Sequence, residues 1–357
     1  MSLDYASLTT IPLSYASCSL GSPSSPPPLL DRLDAISLAN FSAIELSFPD
    51  ILSYGQIVLG HSPDPKHYDE LVKVAEAIKK ECDKRKLGIM MLQPFANFEG
   101  WKEGSDGRKD AWERARGWVR IMQAVGTDML QVGSTDTPLE NLDLAKVVPD
   151  LRELCDMLKP HGCKVAYENW CWSSHAPDWK DVWRIVNEVD RDNIGLCLDT
   201  FQTAGGEWAD PTTESGLLED ISKIELIHRF SASLEGLSKT IPKDKIYLLQ
   251  ISDAYQTPEP LSKETDEQGL RQVSRPRGRW SHDLRPLPYN GGHLPVVDVV
   301  TAVLRTGFRG WFSYEVFDGG PDGKGKEQDL VAYAQAAYNV QQRLIAEAAG
   351  KKFKPQQ

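Results

Sequence analysis

Acidic and amide side chains lie at the ends of four apolar segments that are typical of buried strands. They are Glu168, Asp199, Gln250 and Glu315. Carboxylates that converge raise one another's pKa or require a cation between them. Carboxylates with one amide oxygen suit Mn²⁺ or Mg²⁺, with Co²⁺ as a further option. We therefore expect these four residues to be the ligands of one divalent ion, and we count Glu168 among the catalytic residues as well.

Each of these residues also has an ordinary structural interpretation. A single Asp or Glu just beyond a strand is usually a solvated loop residue or a helix cap. The recurrence of suitable ligands at four consecutive predicted strand ends is what favours a metal site. Asp253 lies three residues beyond Gln250 and is either an alternative ligand or a brace for the long segment that follows.

The segment after Glu168 is rich in aromatic rings. Trp170 and Trp172 either wall a pocket for a flat or cyclic substrate or cover the end of the core as ordinary packing. His175 is the only histidine between Glu168 and Asp199. It is either a proton carrier near the metal or a residue at the entry of a helix.

Five arginines lie close together in an otherwise acidic chain. They are Arg271, Arg275, Arg277, Arg279 and Arg285. A solvated loop face is the ordinary interpretation, and recognition of a substrate carboxylate by an arginine fork is the functional one. Arg285, close to His282 and His293, is the preferred candidate for substrate binding.

Short apolar runs alternate with helical spacing along the chain, which is typical of strand–helix units around a parallel sheet. The predicted strands cover residues 12–20, 43–48, 87–95, 127–134, 163–170, 193–201, 245–254 and 308–317. The segments with helical spacing are 29–38, 71–82, 112–125, 139–158, 179–189, 217–237, 296–304 and 330–348. Eight such pairs favour an α/β fold of the (β/α)₈ TIM barrel type. An open doubly wound sheet is the alternative, but no G-x-G-x-x-G motif follows any strand.

The connections between these elements are short except in two places. We expect one domain over residues 1–357, with longer connections at 49–65 and 255–293. The second is an insertion after strand seven. Loops that follow the strands of a TIM barrel form its active-site face, so the insertion should lie over that face.

Net charge and hydropathy indicate which kinds of partner the protein binds, and the cysteine pattern indicates its compartment. The chain of 357 residues carries a net charge of −11, which argues against a protein that mainly binds nucleic acid. No apolar stretch of eighteen residues occurs, so no membrane partner is expected. The six cysteines are scattered without a C-x-x-C pair and are predicted to be reduced. These features predict a cytoplasmic protein with a small-molecule substrate, and they leave the oligomeric state open.

Five motifs occur in order along the chain. They are QPF…FEG at 93–100, the segment 167–179, CLDTF at 197–201, QISDA at 250–254 and YE at 314–315. Together they resemble the 3-dehydroshikimate dehydratases of the fungal quinate-catabolism type, within the xylose-isomerase-like TIM-barrel superfamily. The resemblance runs from about residue 11 to the last predicted helix, which is nearly the whole chain.

This resemblance implies a metal-dependent lyase that converts 3-dehydroshikimate to protocatechuate (3,4-dihydroxybenzoate) and water. It implies the four metal ligands named above, an arginine for the ring carboxylate and His175 as acid or base. One departure concerns Gln202, because many relatives carry histidine three residues after the strand-six aspartate. Glutamine cannot take a proton at neutral pH, so Gln202 is counted with Arg285, Trp170 and Trp172 as substrate-binding, and the proton role passes to His175 or another group.

Other functions fit parts of the same pattern. A sugar isomerase or epimerase on the same barrel would use a comparable carboxylate set to stabilise an enediolate. A catalytically inactive barrel acting as a binding module would keep the fold without the activity. An endonuclease of the same superfamily is disfavoured, because an acidic chain opposes binding to a phosphate backbone.

Overall fold

The computed structural model describes residues 3–263 and 275–353. Eight parallel strands close into a barrel in the order β1-β2-β3-β4-β5-β6-β7-β9, and β8 pairs with β10 in a separate antiparallel ribbon. The strands are β1 Leu13–Ala16, β2 Ala43–Ser47, β3 Gly88–Phe95, β4 Met129–Gly133, β5 Lys164–Glu168, β6 Ile194–Asp199, β7 Ile246–Ile251, β8 Leu284–Arg285, β9 Trp311–Tyr314 and β10 Phe317–Asp318. The predicted closed barrel of eight strands is confirmed.

Helices surround the barrel and connect its strands. They are α1 Tyr5–Leu8, α2 Leu29–Leu38, α3 Phe48–Leu59, α4 Tyr68–Lys84, α5 Asp106–Val125, α6 Val147–Leu158, α7 Trp179–Val189, α8 Thr200–Glu207, α9 Lys223–Thr240, α10 Pro276–Asp283, α11 Val296–Arg305 and α12 Leu330–Ala348. Within the described ranges, the helices are too short or too polar to cross a lipid bilayer.

Four of the described helices, α1, α3, α8 and α10, were not predicted from the sequence. Helix α3 fills most of the connection expected at 49–65, because Pro49 lies in the first turn, where its missing N–H is not needed. Helix α8 follows β6 directly, and its N-cap is Asp199, whose side chain accepts the Phe201 N–H. The predicted helix at 139–158 begins as two 3₁₀ turns and becomes α-helical only at Val147.

The helices bury one face each against the barrel. In α7 the buried residues are Trp179, Val182, Ile185, Val186 and Val189, at the three- and four-residue spacing of one helix face. The Asp178 side chain accepts two backbone N–H groups at the start of this helix. Local capping and burial therefore agree on where α7 begins and which face it turns to β5 and β6.

The inside of the barrel is layered. Its apolar layer consists of Ala43, Met90, Met91, Met129, Ala166, Cys197 and Leu248. Two residues further along five of the strands, and so on the same face, lie Glu45, Gln131, Glu168, Asp199 and Gln250, all buried. This polar layer lies at the C-terminal end of the strands, where TIM-barrel enzymes place their active sites.

Candidate active site and metal centre

Three carboxylates meet in the polar layer. Glu168 ends β5, Asp199 ends β6 and Glu315 directly follows β9. Among the described residues, one oxygen of each of the three lies within 4.8 Å of the others. The closed barrel thus brings together the acidic side chains of three separate strand ends, at sequence positions far apart.

Burial makes Glu168 and Asp199 difficult to ionise without a cation. Burial raises the pKa of Glu168 well above its ordinary value, and the charges of Glu315 and Asp199 add to the shift. Burial also raises the pKa of Asp199 to about 7, although the charge of Arg285 opposes the shift. Glu45 on β2 belongs to the same layer, and burial followed by the charge of Glu315 raises its pKa to about 8. A positive charge between the carboxylates would favour their ionised forms.

Arg285 supplies part of that charge. Its Nη2 donates to Asp199 Oδ2 at 2.6 Å and its Nη1 to Glu315 Oε2 at 2.9 Å. Its Nε donates to Ser252 Oγ at 2.9 Å, and its guanidinium lies 4.6 Å from the centre of the Phe201 ring. Only 1% of the residue is exposed. Arg285, which we expected to bind a substrate carboxylate, is therefore a counter-ion of Asp199 and Glu315 in this structure.

The remaining donor atoms fit a divalent cation. Glu168 Oε2 accepts a hydrogen bond from Gln131 Nε2, whereas the buried Glu168 Oε1 has no partner among the described residues. A buried acceptor left unpaired costs free energy. One guanidinium cannot neutralise three carboxylates, and hard oxygen donors are those that Mg²⁺ and Mn²⁺ prefer.

Gln250 lies next to Asp199 in the register between β6 and β7. Its Nε2 donates to Glu45 Oε2 at 2.9 Å, and its Oε1 accepts the thiol of Cys197 at 3.2 Å. The amide oxygen of Gln250 thus faces β6, the strand that ends in Asp199. Gln250 could provide a fourth oxygen ligand from this position.

Asp253, the alternative ligand from β7, has a different set of contacts. Its Oδ1 accepts the backbone N–H groups of Ala254 at 2.7 Å and Leu294 at 2.8 Å. Burial raises its pKa to about 6, and the backbone hydrogen bonds oppose the shift. The structure shows Asp253 as a brace that holds the segment before α11 against the barrel.

His175 lies on the other side of β5. Its Nε2 is 3.0 Å from Glu99 Oε1, and the same oxygen accepts the Tyr167 hydroxyl at 3.0 Å and the Thr135 N–H at 2.8 Å. Tyr167 immediately precedes Glu168, and successive side chains of a strand point to opposite faces. The structure therefore places His175 with Glu99 on the helix-facing side and does not bring it to the three carboxylates.

The aromatic pair forms one edge of the barrel mouth. Trp170 and Trp172 stack with their ring centres 5.1 Å apart. Trp170 covers Gly133 at the end of β4, where a Cβ atom would lie 2.1 Å from the indole ring. Gln202 supports the same loop, because its Oε1 accepts the Cys171 N–H at 2.9 Å and the residue is almost fully buried.

Two arginines of the predicted cluster fasten the segment after β7 to the barrel loops. Arg275 donates to the carbonyl oxygen of Trp172 at 2.8 Å, and Arg277 donates to that of Gly205 at 2.7 Å. These bonds tie the start of α10 to the loop after β5 and to α8. Arg271 lies outside the described residues.

Two members of the polar layer were missed by the sequence analysis. Glu45 stands in the apolar run AIELS, just as Glu168 stands in VAYE, so the same signal could have identified it. Gln131 is uncharged and gives no comparable signal. Glu99 belongs to the FEG motif, but nothing in the sequence indicates its pairing with His175.

Comparison with known proteins identifies relatives of this barrel. The family model described as xylose isomerase-like TIM barrel matches residues 33–336. The chain is 30% identical over 321 residues to a 3-dehydroshikimate dehydratase of Neurospora crassa, covering 86% of each protein. It is 27% identical over 295 residues to a 3-dehydroshikimate dehydratase of Pseudomonas aeruginosa, covering 82% of this chain and 36% of that protein.

A solved structure shows the same fold. It is a xylose isomerase-like TIM barrel/4-hydroxyphenylpyruvate dioxygenase fusion protein, with a TM-score of 0.67 and 23% sequence identity. The match covers 97% of this chain and 45% of that chain. The chain thus spans about a third of the bacterial relative and just under half of the fusion protein, but most of the fungal relative.

Proposed function

The chain belongs to the xylose isomerase-like TIM barrel family, and from that premise we propose that it dehydrates 3-dehydroshikimate to protocatechuate (3,4-dihydroxybenzoate) and water, in quinate and shikimate catabolism. The observation that carries the proposal is the buried cluster of Glu168, Asp199 and Glu315 at the mouth of the barrel. Likeness to the fungal dehydratase over most of both chains supports the choice of substrate.

The reaction requires a proton to leave a carbon beside a ketone and a hydroxyl group to leave the neighbouring carbon. Negative charge develops on the ketone oxygen in the first step, so the site must supply positive charge there. One divalent ion held by Glu168, Asp199, Gln250 and Glu315 would supply Lewis acidity toward that oxygen. The hydroxyl group then takes up a proton and leaves as water, which gives a cyclic dienone. The dienone becomes aromatic when its ring CH₂ group loses a proton and the ketone oxygen gains one. These later steps are downhill, so the main tasks of the protein are to position the ring and to move the first proton.

We propose Mn²⁺ or Mg²⁺ as the ion, one per chain. The donor set supports this choice, because it consists of carboxylate and amide oxygens without a histidine among the proposed ligands. The thiol of Cys197 lies beside the set, because it donates to Gln250 Oε1. Burial raises its pKa well above the ordinary value, which opposes the thiolate form that a metal would need.

Arg285 is proposed to recognise the ring carboxylate of the substrate. Its described bonds use four of its five N–H donors, two of them to Asp199 and Glu315. One N–H donor is left, so a two-bond fork contact with a carboxylate would require Arg285 to share a donor or to exchange one of these partners. Such an exchange becomes easier when a divalent ion also compensates the two acidic side chains.

The aromatic pair and Gln202 are proposed to shape the pocket for the ring. Stacked Trp170 and Trp172 present a flat apolar edge, which suits a six-membered ring that becomes aromatic. Gln202 holds the loop that carries both rings through its bond to the Cys171 N–H. Its contribution to substrate binding would include this support.

His175 is proposed as the proton carrier. Its pairing with the buried Glu99 would hold the imidazole in one orientation and tautomer, as catalytic histidines require. Because His175 lies on the helix-facing side of β5, proton transfer to the substrate would require the imidazole ring to leave Glu99 or to act through an intervening group.

We also propose a cytoplasmic location. All six cysteines are free, and five of them are buried. Free thiols in this number are typical of proteins kept in a reducing compartment.

Incubation of the purified protein with 3-dehydroshikimate tests the proposed reaction. Formation of protocatechuate, followed by its absorbance and verified by mass, is the expected result in the presence of Mn²⁺ or Mg²⁺. A parallel incubation with ketose sugars tests isomerase or epimerase activity on the same barrel. Conversion of a sugar without conversion of 3-dehydroshikimate would replace the proposed function by that alternative.

A further inference from the structure

The amide of Gln250 lies between two partners on different strands. Its Nε2 donates to Glu45 Oε2 on β2 at 2.9 Å, across the barrel, and its Oε1 accepts the Cys197 thiol on β6 at 3.2 Å. The two ends of an amide have nearly the same shape, so the hydrogen-bond partners decide which end is the oxygen. Here the carboxylate accepts from the nitrogen, and the oxygen is turned toward β6.

This orientation has a consequence for the metal centre. Asp199 ends β6 and pairs with Gln250 in the register. An amide turned the other way would present its NH₂ group toward β6, and that group repels a cation. The bond to Glu45 thus favours the orientation in which the Gln250 oxygen can bind the metal ion over the orientation in which the NH₂ group takes its place.

We propose that Glu45 is a positioning residue that fixes the Gln250 amide so that its Oε1 is available to the metal ion. This inference deepens the proposed function and rests on it, because it takes Gln250 as a ligand. Glu45 is fully buried inside the barrel, where its Oε2 accepts from Gln250 Nε2 and its Oε1 has no partner among the described residues. The bond to Gln250 is the contact through which Glu45 would orient the amide, and a double-mutant cycle distinguishes this role from a direct effect of the Glu45 carboxylate on the ion.

The test measures Mn²⁺ affinity without substrate, on protein stripped with a chelator and then titrated. Glu45→Gln keeps the size of the side chain but can donate as well as accept, so it no longer selects one amide orientation. We expect this substitution to weaken Mn²⁺ binding by about 10- to 100-fold, the range found for partners that orient metal ligands. Glu45→Ala should do the same, and circular dichroism should show that both variants fold.

A double-mutant cycle separates positioning from a simple effect of charge. In a Gln250→Ala background, Glu45→Gln should leave Mn²⁺ affinity unchanged, because there is no amide left to orient. If Glu45→Gln weakens binding equally in both backgrounds, Glu45 acts through its own charge and the inference is overturned. Unchanged affinity in the single variant would overturn it as well.

Asp150→Asn is the matched control. Asp150 is a buried carboxylate that accepts the Gly100 N–H at 2.9 Å and pairs with Arg108, away from the polar layer. This variant should lose stability and keep the Mn²⁺ affinity of the wild type. A protein that shows the expected cycle but makes no protocatechuate would defeat the proposed function and leave the role of Glu45 standing. A wild type that binds no Mn²⁺ would overturn the ligand set and this role with it.

Discussion

Arg285 and Asp199 form an ion pair inside the barrel, with Nη2 2.6 Å from Oδ2 and neither side chain more than 1% exposed. The other oxygen of Asp199 accepts the Phe201 N–H at 2.7 Å and caps helix α8. One carboxylate is therefore a helix cap, an ion-pair partner and a candidate metal ligand. Asp199 therefore fits both interpretations of a strand-end aspartate, as a helix cap and as a candidate metal ligand.

Replacement of Arg285 should reveal how the site is neutralised. Arg285→Met removes the cationic partner of Asp199 and Glu315, and we expect it to destabilise the metal-free protein by about 3–5 kcal/mol, as for a broken buried ion pair. Saturation with Mn²⁺ should recover much of this loss, because the ion supplies positive charge to the same carboxylates. Urea unfolding with and without Mn²⁺ measures both quantities.

A second buried pair provides the control for that experiment. Arg32 lies 2.7 Å from Asp50 near the first helices and is almost fully buried. Arg32→Met should destabilise the protein without any recovery on addition of Mn²⁺. The same recovery in both variants would contradict a specific link between Arg285 and the metal centre.

Removal of a carboxylate ligand should abolish stabilisation by the metal. A ligand present at about 100 times its dissociation constant stabilises a folded protein by about 2.7 kcal/mol. We expect Mn²⁺ at that level to stabilise the wild type by this amount and to have no effect on Glu168→Ala or Glu315→Ala. Thermal unfolding and metal analysis of gel-filtered protein give the two measurements. Variants that keep both the bound ion and full turnover would remove these residues from the site.

His175→Asn tests the proposed proton carrier. A residue that moves a proton in the transition state contributes about 10²- to 10⁴-fold to the rate. We expect kcat to fall by that factor while Mn²⁺ affinity stays unchanged. Unchanged kcat together with reduced thermal stability would instead show that the contact with Glu99 is structural.

Asp253 should make the stability of the protein depend on pH. Its pKa is raised by burial from 3.8 to about 6 in the folded state. Between these values the unfolded chain ionises and the folded chain does not, so stability falls as pH rises from about 4 to about 6. Asp253→Asn keeps a carbonyl oxygen for the two backbone N–H groups and lacks the ionisation. The free energy of unfolding of Asp253→Asn, relative to that of the wild type, should therefore increase across this pH window by up to about 3 kcal/mol, since one pKa unit corresponds to about 1.4 kcal/mol.

Denaturant unfolding of both proteins at several pH values between 4 and 7.5 measures this difference. A constant difference in the free energy of unfolding would contradict a buried, ionising Asp253. A difference that changes in the opposite direction would mean that the folded state favours the charged form.

Much of the barrel could be predicted from the sequence, because its strands are buried on both faces and appear as short apolar runs. The site followed from Glu168, Asp199 and Glu315, since strands that close into a barrel carry their last residues to one mouth. The helix α3 was missed because the segment 49–65 was interpreted as a long connection, although proline is well tolerated in the first turn of a helix.

The partners inside the site could not be predicted in the same way. Which residue pairs with Arg285, or which strand faces the Gln250 amide, depends on contacts between segments far apart in the chain. The distance between Glu45 and Gln250 in sequence is 205 residues, and only closure of the barrel makes them neighbours. His175 illustrates the limit, because its place in the sequence, seven residues after Glu168, does not determine on which side of β5 it lies.

The central claim is best tested by following protocatechuate formation from 3-dehydroshikimate with chelator-stripped enzyme before and after addition of Mn²⁺. Turnover should be absent or very slow at first, should appear on addition of the ion, and should be absent at all Mn²⁺ concentrations in Glu168→Ala. Asp150→Asn, which leaves the site intact, should respond to Mn²⁺ as the wild type does. No protocatechuate from the metal-loaded wild type, or equal turnover in wild type and Glu168→Ala, would contradict the account.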